Sequence, residues 1–263
     1  MPPRSPLKFF ALVYGWSLPL WIIERFIEIP GLPLDIPITD IVAAFTPMMT
    51  AIWLIHQEEG KTGVRRLFQR AFSVQIRPPV WWLAIVLTPL LIFGLIYLIL
   101  HAMGVMLPAW HPPLWAIPLL LVFFMLGSAG EELGYMGYAV DPLQTKWTAL
   151  QTSLWIGIPW AIWHYPSMLQ QGREPMWILW GTLGTVAYRV IIVWLYNNTH
   201  RNLFGCILIH ALYNLGRPLF PQDAALNPLV AYPQVHYGVM AFVAVLIVLF
   251  WKPRTLTGNR LKA

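Results

Sequence analysis

From Trp81 to Leu100 the chain carries no charged side chain, and that one stretch limits what the protein can fold into. At a rise of 1.5 Å per residue, about 20 apolar residues in a helix cross the hydrocarbon core of a bilayer. Val239 to Trp251 is a second uncharged run. The same ruler gives eight candidate spans, near residues 8–27, 37–56, 79–103, 114–138, 148–169, 176–196, 202–216 and 235–251. Backbone groups in lipid must be bonded within the protein, and long uninterrupted apolar runs meet that demand as helices. The expected fold class is all-α: a polytopic membrane helix bundle of about eight transmembrane helices. Trp81, Trp82, Trp115, Trp147, Trp177, Trp194 and Trp251 fall near span ends, where interfacial aromatics belong.

Composition agrees. Only 11% of the 263 residues are charged and 58% are hydrophobic, against about 25% charged in soluble domains. With 15 Trp, 13 Phe and 10 Tyr the chain is too aromatic for a disordered one. A formal charge of +6 raises the question of nucleic acid. The basic residues lie between apolar runs rather than on one patch, so no nucleic acid partner is expected and membrane lipids are. The single cysteine, Cys206, excludes an intrachain disulfide. Arg4 and Lys8 before the run Phe9–Ile23 resemble a signal peptide, yet Glu24, Arg25 and Phe26 follow instead of a small-residue cleavage site. An uncleaved first span is expected.

With the N-terminus inside, the cytoplasmic segments hold Arg4, Lys8, Lys61, Arg65, Arg66, Arg70, Arg77, Lys146, Arg201, Lys252, Arg254, Arg260 and Lys262. The outer segments hold Arg25, Arg173 and Arg217, and Arg189 lies within the sixth span. Basic residues favour the cytoplasmic side, so both termini are expected there, in the plasma membrane if the host is prokaryotic. Between spans two and three, Val64, Leu67, Phe68 and Phe72 recur at helical spacing opposite Arg65, Arg66 and Arg70, which predicts a short amphipathic helix on the cytoplasmic membrane surface. No repeat or break divides the chain, so one domain is expected over 1–263, with a motif-bearing core at 114–216.

Ionisable groups inside a membrane are costly and each needs a reason. The fourth span ends in GSAGEELGYMGY, where Gly127, Gly130, Gly134 and Gly137 share one face at 100° per residue. Such a stripe admits close neighbours. Glu131 lies about 40° from Gly127 and Glu132 about 140° by the same rotation, so Glu131 should point inward and Glu132 toward another neighbour. Trp160 and His164 stand four apart in the fifth span, and His210 and Asn214 do so in the seventh, each pair on one helix face. A lone intramembrane His is usually a helix–helix hydrogen-bonding residue. A carboxylate, two imidazoles and a carboxamide at similar depth point instead to convergence on one site.

EELGYMGYAVDPL, WAIWH and HALYN resemble, in order, the three motifs of the CAAX protease and bacteriocin-processing family, also called the abortive-infection family, which includes the type II CAAX prenyl endopeptidases. The resemblance implies an intramembrane endopeptidase opening toward the cytoplasm and acting on membrane-embedded or lipid-tethered peptide substrates. By motif position Glu131 would activate water with His164, and His210 and Asn214 would stabilise the oxyanion, with Glu132, Trp160 and Arg189 in support. In a second version Glu131, His164 and His210 hold a divalent metal such as zinc. The H-E-x-x-H run of soluble zinc proteases is absent.

One position departs from the family pattern. The Arg expected four residues after Glu132 is Met136, which cannot pair with a carboxylate. Arg189 is the candidate substitute; otherwise it snorkels to the cytoplasmic surface. Trp160 replaces the usual Phe, a mild change by type. The alternative function is a non-catalytic family member serving as a membrane immunity or scaffold protein. A transporter with an intramembrane proton site, for which Asp40 speaks most, would require inverted repeats that the sequence lacks.

Overall fold

In a computed structural model, residues 4–24, 26, 38–112 and 114–257 are described. Arg25, Arg260 and Lys262, counted in the charge distribution, lie outside them, as do the outer ends of the first two expected spans. The described residues form an all-helical bundle: α1 (Pro6–Glu24), α2 (Ile38–Ala43), α3 (Thr46–Ala71), α4 (Trp81–Ala102), α5 (Ile117–Gly134), a π-helical turn (Tyr135–Ala139), α6 (Val140–Gln144), α7 (Ala149–Trp163), α8 (Tyr165–Gln170), α9 (Pro175–Asn198), α10 (Leu203–Leu219), α11 (Pro228–Ala231) and α12 (Pro233–Trp251).

Over its described residues each of the eight expected spans is mainly helical. Five segments among the described residues are long and apolar enough to cross a bilayer: 6–23, 81–102, 114–144, 175–198 and 233–251. The other three fall short for local reasons. The second span is split between α2 and the start of α3, and α3 runs on into the amphipathic segment, whose charges lower its hydropathy and before which it kinks at Gly60, where φ is +64°. Only glycine reaches that conformation cheaply. The fifth span is divided at His164, because Pro166 has no N–H to donate to the Ile162 carbonyl. The seventh, α10, has 17 residues. The fourth runs further than expected, through the π-helical turn to Gln144.

Beyond Gly60 the second half of α3 is amphipathic as expected, with Gly63, Leu67 and Ala71 buried and Arg65 and Arg66 exposed. Phe72 departs from its expected apolar face and is 76% exposed, because it caps the helix in a non-helical conformation.

Three of the four stripe glycines hold α5 and the π-helical turn against α3 and the link between α2 and α3. A Cβ at Gly130 would lie 2.6 Å from the Ala44 carbonyl oxygen, one at Gly134 2.7 Å from the Pro47 carbonyl carbon, and one at Gly137 2.6 Å from Leu67. Backbone cannot swing aside as a side-chain tip can. Gly134→Ala is therefore expected to destabilise by about 1–3 kcal/mol, the range for overpacking, whereas Gly127→Ala, with nothing within 4 Å of its Cβ, should be near neutral. Thermal unfolding in detergent checks the contrast.

The bundle has two distinct ends. At one, Arg4 bonds Glu59 at 2.7 Å, Arg66 bonds Glu59 at 2.5 Å, Arg201 meets Asp141 at 3.4 Å, and Asn198 donates to the Leu256 carbonyl. At the other, Trp110 donates to the Leu219 carbonyl, Trp177 to the Val230 carbonyl and Gln170 to the Trp21 carbonyl. The described terminal residues and most basic side chains gather at the first end; Arg173 and Arg217 lie at the second.

Candidate active site

The π-helical turn begins at Tyr135, three residues after Glu132, a placement common where a helix carries function. The preceding turn of α5 aims its two carboxylates at different neighbours. Glu131 Oε2 accepts from Trp160 Nε1 of α7 at 2.5 Å. Glu132, fully buried, meets Arg189 Nη1 of α9 at 2.6 Å through one oxygen and His210 Nδ1 of α10 at 2.8 Å through the other. Arg189 does not snorkel: it has no exposed surface. Its guanidinium stacks 4.1 Å from the Trp160 ring and 5.0 Å from the Tyr135 ring, contacts that stabilise a desolvated cation. α9 reaches this position because α7 has glycine there; a Cβ at Gly157 would lie 3.1 Å from Arg189 Cβ. Met136, in the position of the missing Arg, is fully buried in the core.

His164 sits at the break between α7 and α8, with its ring centroid 5.8 Å from that of Trp160. His210 approaches Trp160 edge-on at 5.4 Å and Tyr188 at 5.8 Å. Glu131, Trp160, His164, His210 and Asn214 all line one cavity of about 620 Å³. The four residues named from the motifs therefore share an enclosed space. Glu132 and Arg189 do not line it; they stand behind the wall and hold His210 and Trp160.

The substitution of Trp for Phe is more than a change of size, because the indole N–H bonds the Glu131 carboxylate and Phe has no donor. Several residues were missed by motif reasoning. Tyr188 meets His210 edge-on and its hydroxyl donates to the Ile209 carbonyl at 2.8 Å. His236 bonds the Tyr213 hydroxyl at 2.7 Å in the same wall. Tyr188 stands one residue before Arg189, and spacing alone gave no reason to single it out. Asp40, weighed above only for the transporter reading, also lines the cavity and accepts from the Ser167 hydroxyl.

Among the described residues, no three His, Cys, Asp or Glu side chains are gathered closely enough to hold a metal ion. His210 Nδ1 is bound to Glu132 and Glu131 Oε2 to Trp160, so the expected donors are not arranged as a metal site here.

The cavity has a direction. Its buried floor is Glu131, Trp160 and His210, and its exposed lining includes Gln171 and Arg217, at the end of the bundle opposite the termini. Cytoplasmic termini and a site opening to the cytoplasm, both expected above, are incompatible for this cavity.

Residues 113–216 match the family described as Rce1-like type II CAAX prenyl endopeptidase, a segment that contains all three motifs. The chain is also 28% identical over 142 residues to CAAX prenyl protease 2 of Methanococcus maripaludis, an alignment covering 50% of this chain and 49% of that protein. The chain thus spans about half the length of the curated relative it matches.

Proposed function

We propose that this chain, whose residues 113–216 match the Rce1-like type II CAAX prenyl endopeptidase family, is an intramembrane endopeptidase acting on membrane-embedded or lipid-tethered peptides, including prenylated ones. The observation that carries the reading is the convergence of Glu131 from α5, His164 from the α7–α8 break, and His210 and Asn214 from α10 on one cavity.

Glu131 takes a proton from the attacking water. Its Oε2 is fixed by Trp160, which leaves Oε1 for that water, with His164 alongside as the second proton carrier. His210 and Asn214 face the developing oxyanion. A carboxylate only accepts, so the proton in the bond between Glu132 and His210 Nδ1 belongs to the imidazole. For His210 also to donate at Nε2, the ring must carry both protons. Arg189 and His210 then balance Glu131 and Glu132, two charges of each sign in a desolvated site. Glu132 and Arg189 are positioning residues, acting through His210 and Trp160. Because Arg189 supplies Glu132 with a cation, Met136 gives no ground for preferring the non-catalytic reading. A metal held by Glu131, His164 and His210 would require these side chains to leave their present partners; it would supply a Lewis acid and a bound water of lowered pKa. Chelator treatment of the active protein tests that version.

For orientation we follow the charge distribution: termini cytoplasmic, cavity mouth on the opposite face. Gln171→Cys at the mouth should react with a membrane-impermeant maleimide in intact cells, while Arg254→Cys should react only after permeabilisation; the buried Cys206 is silent. The reverse pattern places the mouth in the cytoplasm and overturns the charge-based orientation. The activity itself is tested in lipid vesicles with a farnesyl-cysteine peptide, its products identified by mass. Hydrolysis of one internal peptide bond supports the reading. Absence of hydrolysis from prenylated and unmodified membrane peptides alike favours the scaffold alternative.

A further inference from the structure

The π-helical turn supplies no group to the reaction, yet its backbone is bonded to both carboxylate residues. Its first N–H, at Tyr135, closes on the backbone carbonyls of Glu131 and Glu132, and the Tyr135 ring faces the Arg189 guanidinium. Further along, the Val140 N–H bonds the Tyr135 carbonyl five residues back. Continued by two residues, that register pairs the buried Gly137 carbonyl with position 142, and Pro142 has no N–H to give. Two guanidinium groups take that carbonyl instead. Arg4 Nη1 donates to it at 3.3 Å and Arg70 Nη1 at 3.4 Å, from segments 133 and 67 residues away in the chain.

Both donors are themselves fixed. Arg4 bonds Glu59 Oε1 through Nε at 3.2 Å and through Nη2 at 2.7 Å. Arg70 Nη2 donates to the Tyr196 hydroxyl of α9 at 2.6 Å, which in turn donates to the Asp141 carboxylate at 3.1 Å. Beside the carbonyl, Tyr138 donates to Glu58 at 2.7 Å and accepts from the Ser5 N–H at 3.2 Å. Bonds from a charged donor to a buried carbonyl without a backbone partner are the strong kind, because the alternative is an unsatisfied group. We propose that Arg70, with Arg4, is a positioning residue for the catalytic carboxylates: the two clamp the Gly137 carbonyl, keep the turn in its π register, and through Tyr135 fix how Glu131 and Glu132 meet Trp160, His210 and Arg189. Neither arginine lines the cavity. Both stand at the end of the bundle opposite its mouth, so they act on the chemical step and not on substrate binding. The inference rests on the protease reading for its reaction and adds the residues that hold the general base in place from outside the site.

The test compares variants in lipid vesicles, matched for folded protein, on a farnesyl-cysteine peptide. Misplacing a catalytic group by 1 Å costs up to about 100-fold in rate. Arg70→Gln should therefore lower kcat by at least about tenfold at unchanged KM. Arg70→Lys, which keeps the charge and one arm to the carbonyl, should recover part of the loss. Arg201→Gln breaks the neighbouring pair with Asp141 without touching the turn's carbonyl, and should match wild type. Amide hydrogen exchange reads the turn without any reaction. Exchange across residues 131–141 should quicken in Arg70→Gln and stay at the wild-type rate in Arg201→Gln. Unchanged exchange in Arg70→Gln, quickened exchange with unchanged kcat, or a loss carried wholly by KM overturns the proposal and leaves the protease reading standing. Should Arg70→Gln fail to fold, Arg4→Gln carries the same comparisons. If wild type hydrolyses no peptide, the protease reading falls, and exchange alone decides the clamp: quickened exchange in Arg70→Gln keeps it, unchanged exchange removes it.

Discussion

Arg189→Met is expected to cost about 3–5 kcal/mol of stability, the range for removing one partner of a buried ion pair, and to cost about 1–3 kcal/mol less in a Glu132→Gln background. The pair is enclosed, with no exposed side-chain surface on either residue. Removing the guanidinium strands a carboxylate that keeps only His210 as partner. Removing the carboxylate strands a guanidinium whose Nε and Nη2 already lack hydrogen-bond partners and whose remaining support is the Trp160 and Tyr135 rings. Removing both charges leaves neither ion unpaired. The two single changes should thus be strongly non-additive, with a coupling on the order of 1–3 kcal/mol in a double-mutant cycle of unfolding in detergent. Additive effects would show that Glu132 draws its stability from elsewhere. A purely structural pair would alter stability alone. A pair that also positions His210 should, in Glu132→Gln, shift the pH profile of hydrolysis as well.

This pair also shows where sequence reading stops. Helical periodicity located the spans, and the positions of Pro166 and Gly60 fix the breaks at His164 and in mid-α3 through backbone chemistry alone. The glycine stripe was legible as a packing face, because a missing Cβ is a property of the residue itself. It was not legible that Gly127 would border the cavity while the other three met α3 and the link before it. Partner choice between helices was less accessible still. Arg189 lies 57 residues from Glu132, and the argument for their meeting was only that each needed a partner. The Trp160 bond to Glu131 was missed because Trp for Phe was weighed as one aromatic for another, without the added donor. The direction of the cavity was out of reach for another reason. Depth counted along a helix tells how far a residue lies from each end, whereas the mouth depends on which helix ends splay apart, and no periodicity records that.

The central claim is that one membrane-embedded carboxylate activates water for peptide hydrolysis. Glu131→Gln isolates it. Glutamine keeps the shape, and its carbonyl oxygen can still accept from Trp160 Nε1, so the cavity and the Glu132–Arg189 pair behind it should survive with little loss of stability. The amide has no basic oxygen with which to take a proton from water, and loss of a positioned general base costs about 10²–10⁴-fold in rate. The measurement is hydrolysis of a farnesyl-cysteine peptide by wild type and Glu131→Gln, reconstituted side by side in lipid vesicles and matched for folded protein by thermal unfolding. The account predicts cleavage by wild type and a loss of at least about 100-fold in the variant at unchanged folding. Cleavage by Glu131→Gln at the wild-type rate would contradict it.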